Sequence, residues 1–197
     1  LDAPLSDRRQ RGHDPRMEPW FVVTERFDAT CGARWRDFVA WAQLPQVTEI
    51  VSTDEMLCPH VVGELCDEDW AHNVQADGLL HFFREVDYLV RRCGGIDGRN
   101  LLCVFREPDR HPAPKHRSFE FRFEGYELAD RDGSTSALTN CGGFPKAFAS
   151  TDLNERGLLP SLEMARSVQQ ALATKYPGER HARCLVWAVF RATAGIA

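Results

Sequence analysis

The run SALTNCGGFP at positions 136–145 joins a strand-like stretch to a thiol followed by two glycines. A turn of this kind can expose backbone N–H groups beside Cys141, which would activate the thiol as a nucleophile with His181 as its base. The groups that would stabilise an oxyanion in this hypothesis are Asn140 and the amides of Gly142 and Gly143. An ordinary glycine turn beside a packed thiol explains the same residues. Because no carboxylate is obviously placed to orient His181, the pattern favours the packed turn over a thiol-dependent enzyme.

A second group of residues has the side chains that zinc prefers. Cys58, His60, Cys66 and His72 offer thiolate and imidazole ligands. Their spacing does not follow a standard zinc knuckle, so a zinc-supported binding domain is a further alternative. A structural zinc would contribute about 10–16 kcal/mol of apparent binding energy. Apart from this alternative, we expect no cofactor.

The leading prediction is a small, non-catalytic interaction module, an accessory or structural subunit of a larger assembly. Residues 1–18 form a polar arm whose ordering would cost about 18–36 kcal/mol of backbone entropy. An arm so poor in large apolar groups needs a partner to hold it, either another protein or a second copy of the chain. Two tryptophans lie off the apolar stripes, which suits an interface. The candidate interface residues are Arg8, Arg9, Arg11, Arg16, Trp41 and Trp70.

Composition excludes several classes of protein. The 197 residues carry 24 Lys and Arg against 29 Asp and Glu, a net charge of −5, so the basic footprint of nucleic-acid binding is missing. The longest apolar runs are too short to span a bilayer. Seven cysteines form an odd, scattered set, which indicates reduced thiols and a reducing compartment. That compartment is the cytoplasm, or an organelle stroma or matrix if the start of the chain was processed.

The elements that must position these residues indicate an α+β fold, with the arm at 1–18 and one domain at 19–197. We predict about six strands in a single, mainly antiparallel sheet and about four helices packed mostly on one face. Alternating residues at 118–130 predict a long strand with a bulge at Gly125. An apolar stripe predicts a helix over 77–92. The other predicted strands are 20–27, 46–52, 101–105, 134–139 and 184–191, and the other helices begin near Thr30, Pro59 and Ser161.

The last third of the chain also resembles a known family. The residues that carry the resemblance are SALTNCGGFP at 136–145, Leu153-Asn154-Glu155, and CLVWA at 184–188. They are similar to a family of uncharacterised bacterial proteins, found notably in cyanobacteria. The resemblance implies no activity. It makes a plastid-targeted eukaryotic relative conceivable, which agrees with a processed start.

Overall fold

The computed structural model describes residues 18–73, 79–139 and 144–193. Within these ranges the chain is a mixed α+β structure with a mainly antiparallel sheet, as predicted. The strands are β1 (Trp20–Glu25), β2 (Phe27–Asp28), β3 (Glu49–Ile50), β4 (Arg99–Arg106), β5 (Glu120–Ala129) and β6 (Leu185–Thr193). The helices are α1 (Ala33–Ala42), α2 (Asp67–Asn73), α3 (Val86–Arg92) and α4 (Leu162–Lys175).

Four strands form the main sheet in the order β1-β4-β6-β5, with every neighbouring pair antiparallel. The single six-stranded sheet was therefore wrong in one respect, because β2 and β3 pair separately as a two-stranded ladder. β4 lies inside the sheet and is apolar on both faces, as its sequence predicted. Successive residues of β4 enter different clusters: Leu101 and Cys103 pack with the helices, whereas Leu102 and Val104 pack with loop residues.

The three helices that bury apolar side chains all join the larger of these clusters. Trp35 and Phe38 come from α1, Val86 and Leu89 from α3, and Val168 from α4. The opposite face of the sheet is covered by side chains from loops, which are Val51, Leu79, Phe82 and Leu158. These loops, rather than a helix, carry the site described below.

The predicted helix over 77–92 is shorter than its apolar stripe suggests. Helix α3 begins only at Val86, and Phe83 instead forms an extended bridge to Phe21 of β1. In extended backbone successive side chains point to opposite sides. Phe82 therefore stacks near Trp187 while Phe83 packs against Tyr88 in the other cluster. Two adjacent buried phenylalanines are compatible with a helix and with extended backbone, and the pairing of Phe83 with β1 selects the extended backbone.

Three other predicted elements also changed. The strand over 46–52 is reduced to the two residues of β3, and the strand over 134–139 to one bridge between Ala129 and Ser136. No helix forms at Pro59. The helix in this part of the chain is α2, whose first turn contains Asp67, Glu68 and Asp69. Carboxylates at a helix N-terminus interact favourably with its dipole.

The bulge at Gly125 is confirmed. The register of β5 against β6 shifts between Phe123 and Gly125, and Gly125 has φ +147°. A Cβ atom there would lie 2.6 Å from Cβ of Leu158, so the position requires glycine. The bulge turns the second half of β5 into the core, where Tyr126 and Leu128 are buried.

None of the helices in the described part of the chain is long and apolar enough to cross a membrane. The six cysteines found there are free thiols, a state compatible with a reducing compartment: Cys31, Cys58, Cys66, Cys93, Cys103 and Cys184.

Candidate metal centre

Two chain segments lie along the free edge of β1 and bring two histidines together. Val61 donates its backbone N–H to the carbonyl of Val23 at 3.0 Å, and His60 bridges Thr24. Farther along the same edge, Phe83 and Phe21 exchange two backbone hydrogen bonds of 2.8 Å each. Covering an edge strand in this way prevents pairing with other chains. It also places His60 and His81 side by side.

The third member of the site, Glu55, comes from the loop after β3. Its backbone N–H donates to the carbonyl of Ser134 at 3.0 Å. The neighbouring Asp54 is fully buried, and its carboxylate accepts the backbone N–H groups of Met56, Leu57 and Ser136 at 2.7–3.1 Å. The loop that carries Glu55 is thus fixed to the segment 134–136.

The three side chains converge on one point. Nδ1 of His60 and Nδ1 of His81 are 3.1 Å apart, and Oε1 of Glu55 lies 3.0 Å from the first and 2.7 Å from the second. Among the His, Cys, Asp and Glu residues of the described ranges, these three form a group whose ligand atoms all lie within 4.8 Å of one another. The side chain of His60 is 4% exposed, whereas those of His81 and Glu55 are partly open to solvent.

The hydrogen bond on the far side of His60 fixes its tautomer. Nε2 of His60 lies 2.9 Å from the carbonyl oxygen of Thr53, which can only accept. Nε2 therefore carries a hydrogen, and in the neutral ring Nδ1 presents a lone pair to the cluster. A histidine that binds a metal typically donates its other ring N–H to a backbone carbonyl or carboxylate in this way.

Glu55 is prepared to act as an anionic ligand. When His60 carries a hydrogen on both ring nitrogens, its hydrogen bond to Glu55, followed by that from His81, lowers the pKa of Glu55 to about 2 against the opposing effect of burial. With neutral His60, the contact between its Nδ1 and the Glu55 carboxylate joins two acceptors. A hydrogen on Nδ1 of His81 can be donated to only part of the cluster. One cation bound to Nδ1 of His60, Nδ1 of His81 and Oε1 of Glu55 would satisfy all three acceptors.

The cluster opens into a cleft of about 200 Å³. Phe82 and Leu80 form its apolar side, and Asp132 and Ser134 form its polar side. Asp132 accepts the hydroxyl hydrogen of Ser134 at 2.8 Å, and hydrogen bonds from Asp130 and Ser134 keep the pKa of Asp132 below its usual value although burial acts in the opposite direction. A ligand bound at the three-residue cluster would therefore face both a carboxylate and an apolar wall.

The four residues predicted to hold zinc are not assembled. Cys58 is fully buried with its Sγ 3.5 Å from the carbonyl of Ile50, and burial raises the pKa of this thiol. Cys66 is exposed, and His72 stacks on Tyr88 with ring centroids 3.9 Å apart. Of the predicted set, only His60 belongs to the observed cluster. The four residues are apart because 59–60 pairs with β1 whereas Cys66 precedes α2 and His72 lies on it.

The predicted thiol site falls largely on residues outside the described ranges, namely Asn140, Cys141, Gly142 and Gly143. His181 lies in a short 3-10 turn, Arg180–Arg183, and its ring contacts that of Phe144 at 5.4 Å. Burial, reinforced by Arg180, lowers the pKa of His181. The pairing of Cys141 with His181 stays a prediction.

The predicted interface residues are of two kinds. Arg8, Arg9, Arg11 and Arg16 lie outside the described residues. Trp41 on α1 and Trp70 on α2 are 54% and 50% exposed, in agreement with their position off the apolar stripes. The other exposed large apolar side chains in the described ranges are Met56 and Leu80. Met56 immediately follows Glu55, and Leu80 immediately precedes His81.

Comparisons with known proteins do not identify the chain: no family model, no curated protein and no solved structure matches it. The resemblance of the last third to an uncharacterised bacterial family therefore stays a prediction, and the function must be argued from the site itself.

Sequence reasoning included His60 but missed Glu55 and His81. His81 lay inside the predicted helix over 77–92 but off its apolar stripe, which includes Leu79, Phe82 and Phe83. Glu55 is one of many acidic residues and has no distinctive neighbours. The one useful signal for a metal site is that residues 50–60 combine acidic side chains with a histidine at the end of the strand predicted over 46–52.

Proposed function

We propose that this chain is a metal-binding protein that holds a divalent first-row transition metal at Glu55, His60 and His81. The observation that carries the proposal is the convergence of two imidazole nitrogens and one carboxylate oxygen within 2.7–3.1 Å of one another. Two nitrogens and one oxygen suit zinc, iron, manganese, cobalt or nickel, and exclude magnesium and calcium as preferred ions.

The spacing favours three ligands on one face of an octahedron. Metal–ligand bonds of about 2.1 Å at right angles place ligand atoms about 3.0 Å apart, while tetrahedral angles place them about 3.4 Å apart. The observed distances are nearer the first value. Three protein ligands leave open positions, which is typical of catalytic rather than structural metals. The open positions would face the cleft beside Asp132, so a metal-activated water or substrate oxygen there would have a carboxylate beside it.

Metal binding can be tested by titrating chelator-treated protein with Zn²⁺ and with Co²⁺. We expect one equivalent to bind, and the His81→Asn and Glu55→Gln variants to bind at least 100-fold more weakly, since each loses one of three ligands. The matched controls are His72→Asn and Cys66→Ser, which remove members of the sequence-predicted zinc set.

Equal affinity of the controls and the wild type is the expected result. If the controls lose the metal while His81→Asn retains it, the ligands are those predicted from the sequence and the proposal is wrong. Bound metal also stabilises the folded state by mass action, about 2.7 kcal/mol at 100 times the dissociation constant. The melting temperature of the wild type should therefore rise with Zn²⁺, and that of His81→Asn should not.

We propose protein–protein interaction as a second function, which is supported by the exposure of Trp41 and Trp70. Indole rings at such exposure are enriched in interfaces. If the chain associates with itself through α1 or α2, sedimentation should show a concentration-dependent mass that Trp41→Ser or Trp70→Ser reduces to the monomer. A wild-type mass that stays monomeric at all concentrations would rule out self-association and leave only another protein as partner.

A further inference from the structure

A second charged region lies at the end of the main sheet where β1 and β6 finish and β4 and β5 begin. Its centre is two buried carboxylates, Glu49 and Glu124, which are 4% and 7% exposed. Glu49 accepts hydrogen bonds from Arg26, Arg156 and Arg191 at 2.8–3.2 Å.

Glu124 is surrounded in the same way. It accepts hydrogen bonds from Arg122 and Arg191 at 2.9–3.1 Å, and its other oxygen lies 3.4 Å from Nε of Arg156. Two carboxylates thus orient four guanidinium groups. Because Arg156 and Arg191 each contact both carboxylates, the groups form one connected network.

The pairing of β5 with β6 places two of these arginines directly opposite each other. Arg122 and Arg191 are Cα partners in the ladder. Like charges in this position repel and destabilise a strand pair unless an anion lies between them. Glu124 supplies one such anion from the same strand. The network nevertheless retains more donors than its carboxylates can accept.

The region lines an open cavity of about 390 Å³, a volume within the range of small-ligand sites. Besides Glu49 and Glu124, its charged or amide-bearing lining residues are Arg26, Arg99, Asn100, Arg122, Arg156 and Arg191. Three carboxylates at the rim bring the formal charge of the five arginines and five carboxylates to zero: Asp28 lies 3.2 Å from Arg26, Glu155 3.4 Å from Arg156 and Glu25 3.8 Å from Arg99. Glu25 and Glu155 have half or more of their side chains exposed, so their contacts are weak.

Several guanidinium nitrogens remain available to a ligand. In the described part of the chain, no acceptor contacts Nη1 of Arg26, Nη1 of Arg122 or Nη2 of Arg191. Arg26 and Arg122 have 45% and 57% of their side chains exposed, so a molecule in solution can reach them. Planar N–H forks held in place match the oxygens of phosphate.

We propose that this cavity binds a phosphate group, either free or as a phosphomonoester. The buried carboxylates fix the arginines before the ligand arrives, which reduces the entropy lost on binding. The site shares no residue with Glu55, His60 or His81, so it does not depend on the proposed metal.

The test is calorimetric titration of chelator-treated protein with inorganic phosphate and with glycerol phosphate at constant ionic strength. We expect saturable binding at one site, weakened at least tenfold in Arg122→Gln and in Arg26→Gln. Arg122→Lys keeps the charge but loses the fork and should bind with intermediate affinity. The matched control is Arg117→Gln, which removes an equally charged, 84% exposed arginine whose ion pair is with Asp87.

Control and wild type should bind alike, and tighter binding of glycerol phosphate than of phosphate would identify an ester as the ligand. The reverse order would identify the free ion. Melting temperatures near that of the wild type would show that the variants fold. If Arg122→Gln does not fold, Arg26→Gln tests the same site. Absence of saturable binding by the wild type, or equal losses in Arg122→Gln and Arg117→Gln, would overturn the proposal.

Discussion

At the scale of single residues, Glu127 is a buried titratable group that contacts the chain segment leading to the candidate metal centre. It is 1% exposed, and its carboxylate accepts hydrogen bonds from Ser52 and from both the backbone N–H and the hydroxyl of Thr53. Burial raises the pKa of Glu127 to about 7 despite these hydrogen bonds. Thr53 also provides the carbonyl that accepts from His60. Glu127 thus supports the segment that orients the first histidine.

The raised pKa gives a stability change of known sign. Because the folded protein holds this proton up to about pH 7 whereas the unfolded chain releases it near pH 4.5, stability falls as pH rises through that window and is constant above it. The pKa difference corresponds to about 3 kcal/mol. We expect Glu127→Gln to be less stable than the wild type near pH 4.5, because its amide brings an extra donor. Since only the wild type loses stability as pH rises, the free energy of unfolding of the variant should gain about 3 kcal/mol relative to that of the wild type by pH 8.

Urea denaturation from pH 4.5 to pH 8 measures this difference. Glu120→Gln, which removes an exposed carboxylate from the same strand, is the control and should show no such recovery. A difference between Glu127→Gln and the wild type that does not change with pH would show that Glu127 is ionised throughout.

Residue identities alone gave an incomplete view of the site. His60 was recognised as a potential ligand because it belongs to a set, with Cys58, Cys66 and His72, whose side chains are of the types that zinc prefers. Its partners could not be found from spacing, since Glu55 precedes it by five positions and His81 follows it by twenty-one. The edge of β1 brings them together, and no local pattern specifies which segments pair with that edge.

At the scale of elements, α2 differs from the other helices because its buried side chains are polar. They are Asp69 and Asn73. The Asp69 carboxylate accepts from Nε and Nη2 of Arg92 at 3.0–3.2 Å, from the hydroxyl of Tyr88, and from the backbone N–H of Cys66 at 2.8 Å. These hydrogen bonds hold the pKa of Asp69 well below its usual range, although burial opposes them. Polar contacts of Asp69, together with the stacking of His72 on Tyr88, therefore attach α2 to α3.

We expect Asp69→Asn to lower the melting temperature by roughly 5 °C or more, because the fully buried anionic acceptor that Arg92 and Tyr88 share is lost. Asp67→Asn, an exposed change in the same helical turn, should have little effect. Thermal unfolding followed by circular dichroism distinguishes them, and equal shifts in the two variants would show that net charge, not the buried contact, is responsible. Since the pKa of Asp69 is lowered by folding, its contribution is present at neutral pH and lost in strong acid.

Some predicted elements agree with the structure, whereas the helix over 77–92 is shorter than predicted. The helix predicted to begin near Ser161 is α4, in which the Ser161 hydroxyl accepts from the N–H of Met164 at 3.2 Å. The alternation and bulge of β5 agree as well. In contrast, Phe82 and Phe83 are compatible with a helical stripe and with extended backbone. Long-range hydrogen bonds to Phe21 select the extended form.

At the scale of the whole molecule, charge is distributed unevenly. The net charge of −5 concealed a cluster of five arginines at one end of the main sheet. These residues are at positions 26, 99, 122, 156 and 191, so the cluster leaves no basic run in the sequence. The prediction of no nucleic-acid partner, which rests on the net charge and the lack of basic runs, does not extend to a compact site for a small anion.

The account depends most on the ligands of the proposed metal, and X-ray absorption spectroscopy of the Zn²⁺-loaded protein tests them directly. We expect a first shell of nitrogen and oxygen atoms near 2.1 Å with outer scattering from two imidazole rings. A sulfur shell near 2.3 Å would indicate cysteine ligands. That result, or the failure of the protein to retain zinc at all, would contradict the assignment of Glu55, His60 and His81 as a metal centre.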